Sequence, residues 1–167
     1  MNNKFVLAIG SNIKSPKGID PIKNCNDAIK EFSKFKINIV QRSSWYISEP
    51  IPKSTQPKFY NLVLSCNANH NVNKILKIIH IVEKKFGRLR IFKNMPRCID
   101  LDIISFNGNV KKSLLLKIPH PRMHLRKFVL LPLFEIDAHW LHPLLKKNIK
   151  FFLEKVKFQK IKKLKIN

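Results

Sequence analysis

The apolar residues of this chain first cluster at positions 4 to 9, KFVLAI, a run with the length of a strand covered on both faces. Asp20 reads as an N-cap with Pro21 in the first helical position. From there Ile22, Cys25, Ile29 and Phe32 recur at helical spacing and predict a helix to about residue 34. Residues 36 to 47 are rich in β-formers and end in SSWYIS; the proline-rich EPIPKSTQP that follows reads as a loop. In KFYNLVLSC the period drops to two. Tyr60, Leu62, Leu64 and Cys66 share one face, and Phe59, Asn61, Val63 and Ser65 share the other. A second amphipathic helix lies in NVNKILKIIHIVEKKFG, stopped by Gly87. Beyond a polar loop at 88 to 97, CIDLDIISF predicts a strand to residue 106, which Asn107-Gly108 turns into a returning segment at 109 to 115.

This order, β-α-β-β-α-β, predicts an α/β (α+β) fold of ferredoxin-like type, an antiparallel sheet with helices packed on it. LLKIPHPRMHLRKFVLLPLFEI adds a loop and a helix. The Lys-rich tail from about residue 145 reads as a helical C-terminal extension with a solvated face, rather than a nucleic-acid or membrane element. One domain is expected over residues 1–167. The opening apolar run is too short for a signal peptide or a membrane span. Three cysteines without a CxxC pair fit a reducing compartment, so a cytoplasmic location is expected.

A net charge of +23 fits a polyanionic partner, yet the lysines are spread along the whole chain, as a general compositional bias would leave them. Arginine behaves differently. Five of the six arginines (Arg88, Arg90, Arg97, Arg122 and Arg126) fall in one stretch, where a planar fork would match phosphate or carboxylate. Only four glycines are present, and neither GxGxxG nor GxxxxGK[ST] occurs. A bound polyphosphate would have to rely on metal ions and arginines.

Asp100 and Asp102 interrupt an apolar strand, where unpaired carboxylates are costly. Period two points both to one side with Cα atoms about 6.5–7 Å apart. That spacing suits carboxylates that bracket Mg²⁺ together with substrate phosphates, and it equally suits two structural salt bridges to nearby arginines. Glu83 falls near the centre of an apolar helical arc, so it needs either a buried partner such as Arg or a place at the edge of a site. His80, at the edge of that arc, either lines a site or is solvated. His120, between two prolines beside Arg122 and Arg126, is a candidate ligand contact. Asn61 beside Phe59 offers an amide and an aromatic surface, the pair a flat heterocycle would use.

The segments LAIGSNI, FYNLV, GRLR, PRCIDLDII, IPHPRM and LLPLFEI occur in the order and spacing of 6-hydroxymethyl-7,8-dihydropterin pyrophosphokinases, and from about residue 5 to 140 the chain resembles that family. The resemblance implies transfer of the pyrophosphoryl group of ATP, the co-substrate, to the hydroxymethyl group of a dihydropterin, releasing AMP in folate biosynthesis. It implies catalytic roles for Arg88, Arg97, Asp100 and Asp102, the two aspartates holding two Mg²⁺ ions. It places ATP against Arg88, Arg90, Arg97, His120, Arg126 and His80. The pterin would lie between Phe59 and Phe128, bonded by Asn61, by the loop holding Ser48 and Ile51, and near Asp100. Gly10 to Asn12 and Glu83 match positions of mainly structural role.

Three departures from the family pattern stand out. The loop at 88 to 97 has KNMPR where WGPR is frequent, His80 stands where Gln is common, and Phe59 where Tyr often sits. A monomer with no membrane and no specific nucleic-acid partner is expected. The rival reading, a basic nucleic-acid-binding module on the same scaffold, would need sheet aromatics in the RRM pattern, which is absent.

Overall fold

The computed structural model describes residues 2–92 and 94–165. Strand β1 (Asn3–Ser11) lies in the middle of an antiparallel sheet, with β5 (Asp100–Phe106) on one side and β4 (Phe59–Ala68) on the other. The 36 to 47 segment is two strands rather than one. Strand β2 (Ile37–Arg42) pairs with the far end of β4 and β3 (Tyr46–Ser48) with its beginning. The break comes at Ser43, which accepts the Val63 N–H on its Oγ at 2.9 Å and so takes the place of a ladder bond.

Helices α1 (Pro21–Glu31) and α2 (Val72–Lys85) cover one face of the sheet. Their stripes, including Cys25, Ala28, Ile75, Ile79 and Val82, pack on Leu7, Ile9, Leu62, Leu64 and Leu101. Asn71 caps α2 by accepting the Lys74 N–H at 2.9 Å. Gly87 ends it at φ +89°, where a Cβ would lie 2.4 Å from Pro16 Cδ, so only glycine fits.

The returning segment after Asn107-Gly108 does not extend β5. It folds on itself as a small hairpin, β6 (Lys111–Lys112) with β7 (Lys117–Ile118). The chain then crosses to the second face of the sheet. There α3 (Lys127–Ile136) and α4 (Ile149–Lys155) close a second core on Val63 and Ile104 with Val129, Leu130, Leu133 and Phe152. That cover removes the open sheet face on which a base-stacking module would depend.

The tail is helical, as expected, only in part. α4 has only seven residues, and Ile161–Lys163 form an edge strand, β8, on β3. Among the described residues, no helix is long and apolar enough to cross a membrane.

Candidate functional site

The register of the sheet builds the site. Asp100 lies opposite Gly10, Gly10 opposite Asn61 and Asn61 opposite Tyr46, so all four share the α3 face; Asp102 lies opposite Ala8 in the next row. The small residues Gly10 and Ala8 leave open space between the aspartates and Asn61. The start of α3, with Phe128 and Val129, walls this space on one side, and the 49 to 58 loop walls it on another. The result is a cavity of about 240 Å³ lined by Gly10, Ser48, Ile51, Phe59, Asn61 and Phe128, among others. Asn61 is buried and donates both amide hydrogens, to Ser48 Oγ at 3.0 Å and to the Phe59 carbonyl at 3.1 Å. Its Oδ1, 3.5 Å from where a Cβ on Gly10 would stand, is left as a fixed acceptor.

A second cavity of about 550 Å³ adjoins the first and has the opposite character. Arg88, Arg90, Arg97, Arg122 and Arg126 line it with His120, Ile91 and Phe92. Asp100, Asp102, Asn94, Arg97 and Arg126 face both spaces, so the two cavities meet at the carboxylates.

The arginines are held by acids. Asp100 accepts from Arg88 Nη2 at 3.3 Å and is ion-paired with Arg97, whose Nε lies 3.0 Å away but is not aligned for a hydrogen bond. Among the described residues Asp102 has only His120 Nε2 at 3.9 Å and Arg126 Nη1 at 4.0 Å. Burial, and then the negative charge of Asp102, push the Asp100 carboxyl above its usual range, with Arg97, Arg88 and Arg90 pulling the other way. Glu83 is fully buried, accepts the Leu101 N–H at 2.9 Å and pairs with Arg90 Nη2 at 2.6 Å. Its partner is therefore the structural arginine. Arg88 Nε and Arg97 Nε are buried without hydrogen-bond partners.

Burial and the charges of Arg126 and Arg122 lower the His120 pKa to about 4, so its ring is neutral near pH 7. Its Nδ1 accepts the Arg122 N–H at 3.2 Å, which leaves the hydrogen on Nε2, the nitrogen nearest Asp102. His120 is thus a neutral donor aimed at the charged cavity. The Arg97 guanidinium lies 5.0 Å from the Phe59 ring centroid and that of Arg126 5.5 Å from the Phe128 centroid, so both aromatic walls already carry a flat partner.

The family model for 7,8-dihydro-6-hydroxymethylpterin-pyrophosphokinase matches residues 6–138. The chain belongs to this family. It is 37% identical to a Helicobacter pylori 2-amino-4-hydroxy-6-hydroxymethyldihydropteridine pyrophosphokinase over 79% of this chain and 80% of that protein. With the Haemophilus influenzae protein of the same name it shares 32% over 96% of each. It is also 34% identical over 93% of its length to the Folic acid synthesis protein fol1 of Pneumocystis carinii, of which it spans only 20%. A triple-mutant Plasmodium falciparum HPPK-DHPS shares the fold, with TM-score 0.71 and 16% identity over 93% of this chain and 44% of that one.

Within this pyrophosphokinase fold, the residues expected at the site are brought together with one exception. Ser48, Ile51, Phe59, Asn61, Phe128, Asp100 and Asp102 line the smaller cavity, and Arg88, Arg90, Arg97, His120 and Arg126 the larger. His80 lines neither. It is exposed on α2, on the helix face turned away from Val82 and Ile79, which pack in the core. Sequence reasoning also missed Gln56 and Asn94 in the cavity walls. Both sit in loops, and the only signal was a polar side chain beside a proline in STQPK and a polar one in KNMPR.

Proposed function

We propose that this chain transfers the pyrophosphoryl group of ATP to the hydroxymethyl group of 6-hydroxymethyl-7,8-dihydropterin, giving the pterin diphosphate and AMP. The observation that carries this reading is the meeting of two unlike cavities at Asp100 and Asp102. A flat, hydrogen-bonding ring fits the smaller one, between Phe59 and Phe128 and against Asn61 Oδ1 and the Ser48–Ile51 loop. A polyphosphate fits the larger one, where five arginines and the neutral His120 donate. The acceptor hydroxyl and the β-phosphorus then face each other over the aspartates, which supplies the proximity that in-line transfer requires. In that transfer the bond from the hydroxyl oxygen to the β-phosphorus forms as the bond from the β-phosphorus to the α,β-bridging oxygen breaks. AMP leaves with that oxygen, and the hydroxyl proton passes to water.

The donor set fits Mg²⁺. Asp100 and Asp102 present only carboxylate oxygens, and among the described residues Asp102 has only the neutral His120 at 3.9 Å and the Arg126 guanidinium at 4.0 Å beside it. Among the described residues no group of three or more His, Cys, Asp or Glu is arranged to hold a metal ion by itself. That is the shortfall Mg²⁺ ordinarily fills with phosphate oxygens and water. Asp100 and Asp102 would hold two such ions, and when bound these neutralise phosphate charge. Arg88, Arg97 and Arg126 do the same from the protein side, and Arg90 joins them on leaving Glu83. No side chain is assigned as a general base. His80 lines neither cavity but lies near enough to Arg90 to feel its charge, so it stands at the margin of the nucleotide site.

The protein is expected to act as a monomer in the cytoplasm, without membrane or specific nucleic-acid contacts. The test is AMP release with ATP, Mg²⁺ and hydroxymethyl-dihydropterin. Pterin-dependent AMP formation is expected; ADP as the product, or AMP release indifferent to pterin, overturns the assignment.

A further inference from the structure

A chain of side-chain bonds runs between the two cavities apart from the aspartates. Asn12, buried just beyond β1, donates from Nδ2 to Gln56 Oε1 and to the Pro57 carbonyl, each at 3.2 Å. Its Oδ1 accepts the Arg97 N–H at 2.8 Å, and its own N–H donates to the Arg97 carbonyl at 2.9 Å. Gln56 completes the chain by donating from Nε2 to the Asn94 carbonyl at 2.7 Å. Only one orientation of the Gln56 amide serves both neighbours. Turned over, its oxygen would face a carbonyl and its NH₂ would face the NH₂ of Asn12.

The placement of these bonds gives them meaning. Gln56 belongs to residues 49–58, which have no helix or strand of their own and wall the smaller cavity. Asn94 and Arg97 belong to the 88 to 97 loop and face both cavities. Gln56 is therefore the one side chain on the 49–58 segment that bonds to the nucleotide-side loop among the described residues. It is half-buried, and its bonds are neutral amide contacts, so the fold does not hinge on it as it does on buried Asn12.

We propose that Gln56 is a positioning residue that couples the two substrate sites. Resting on the pyrophosphokinase reading, the coupling works as follows. A nucleotide that draws Arg97 and its loop onto the polyphosphate fixes Asn94, and Asn94 fixes the pterin-side loop through Gln56. By linkage, pterin binding tightens the nucleotide to the same degree.

The test is calorimetric titration of pterin, alone and with Mg²⁺ and a non-hydrolysable ATP analogue, in the wild type, Gln56→Ala and Gln56→Glu. Gln56→Glu keeps the size and the acceptor for Asn12 but sets a carboxylate against the Asn94 carbonyl. The ratio of the two pterin dissociation constants should exceed one in the wild type and fall roughly three- to tenfold in both variants, the worth of one such hydrogen bond. The affinity for pterin alone should change less than that ratio does. A wild-type ratio of one overturns the proposal, as does an unchanged ratio in Gln56→Ala or an equal loss with and without nucleotide. Wild-type protein that binds neither ligand would instead overturn the pyrophosphokinase reading.

Discussion

The smaller cavity has a base of strands and a packed helix beside its 49–58 loop, whereas the arginines of the larger one come mostly from loops. Ser48, Phe59 and Asn61 take their places from the pairing of β3 with β4, and Phe128 and Val129 from the start of a helix anchored in the second core. These strand and helix positions need not move for a ring to be read by directional bonds; the 49–58 loop is the part of that cavity left to be fixed. Arg88, Arg90 and Arg97 come instead from a segment without regular structure. Their mutual repulsion is relieved by borrowed partners, Asp100 for two of them and Glu83 for the third. A neutral ring demands fixed geometry, whereas a polyanion demands charge, and charge can be kept ready only by lending it to acids until the ligand arrives. Of the two aspartates that would hold metal, Asp100 therefore serves as a counter-ion beforehand. On the proposed function, the two readings left open by the sequence would describe two states of one site.

The comparison breaks most visibly at the shared aspartates. Asp102→Ala should lower turnover about a thousandfold, roughly 4 kcal/mol of transition-state stabilisation, while the protein remains folded. Folding should survive because Asp102 has no close ion pair to lose, and its removal relieves its repulsion of Asp100. AMP release and a thermal melt on the same preparation check both halves. Near-normal turnover would remove the aspartates from the chemistry.

A second effect should separate loop from strand directly. With a non-hydrolysable ATP analogue at about 100 times its Kd, amide exchange in the 88 to 97 loop should slow roughly a hundredfold, since openings that release the nucleotide are then opposed by about 2.7 kcal/mol. Amides of β3 and β4 should barely change. Lys93 lies outside the described residues, but its neighbours report on the loop. Phe92 and Ile91 are now 66% and 74% exposed, which leaves apolar surface to cover the nucleotide where the usual Trp is missing. Equal protection with and without ligand would make the loop a fixed element like the opposite wall.

The same contrast explains what could be read from the sequence. Asp100 and Asp102 were legible because a strand's period fixes their common side, and Glu83 because a helical arc exposes a misplaced carboxylate. Arg90 as its partner was legible only as a class of residue, since a loop has no period. The edge strand Ile161–Lys163 was not legible. Three residues with two lysines suit a strand edge only because β3 offers a free one, so the instruction lies in the partner. The hairpin at 111 to 118 was misjudged for a related reason. Asn107-Gly108 specifies a turn, but not which strand the chain pairs with afterwards. The Asn12–Gln56–Asn94 relay joins three loops and leaves no pattern at all.

Substitution on the strand-built wall should affect one substrate only. Phe59→Ala should raise KM for pterin roughly tenfold, the order of one lost aromatic stack together with its packing. KM for ATP should stay within about twofold, even though the Arg97 guanidinium lies over that ring. Steady-state kinetics with each substrate varied in turn decide the matter. Equal rises in both constants would mean that the two cavities are one site in energetic terms.

The smallest effect concerns what keeps the helical wall in place. Glu135, toward the far end of α3 from Phe128, accepts the Tyr46 hydroxyl and the Ser44 hydroxyl at 2.8 Å each, the Ser44 N–H at 3.1 Å and Lys163 at 2.8 Å. It thereby ties α3 to β3 and to the edge strand β8. Although burial alone would raise it, the bonds from Lys163, Ser44 and Tyr46 bring the Glu135 pKa from 4.5 down to about 2. A carboxyl depressed by folding adds stability that is complete above its unfolded value of 4.5 and is lost as pH falls toward 2. After allowance for solvent screening at the surface, that contribution is about 1 kcal/mol. Glu135→Gln should therefore unfold at lower urea concentration than the wild type at pH 6, and the gap should close as pH approaches 2. Its KM for pterin should rise by no more than about twofold, because the second core still holds the start of α3. Urea titrations of both proteins from pH 6 down to pH 2 measure the gap. A gap that stays constant over that range would mean that Glu135 acts through shape rather than charge.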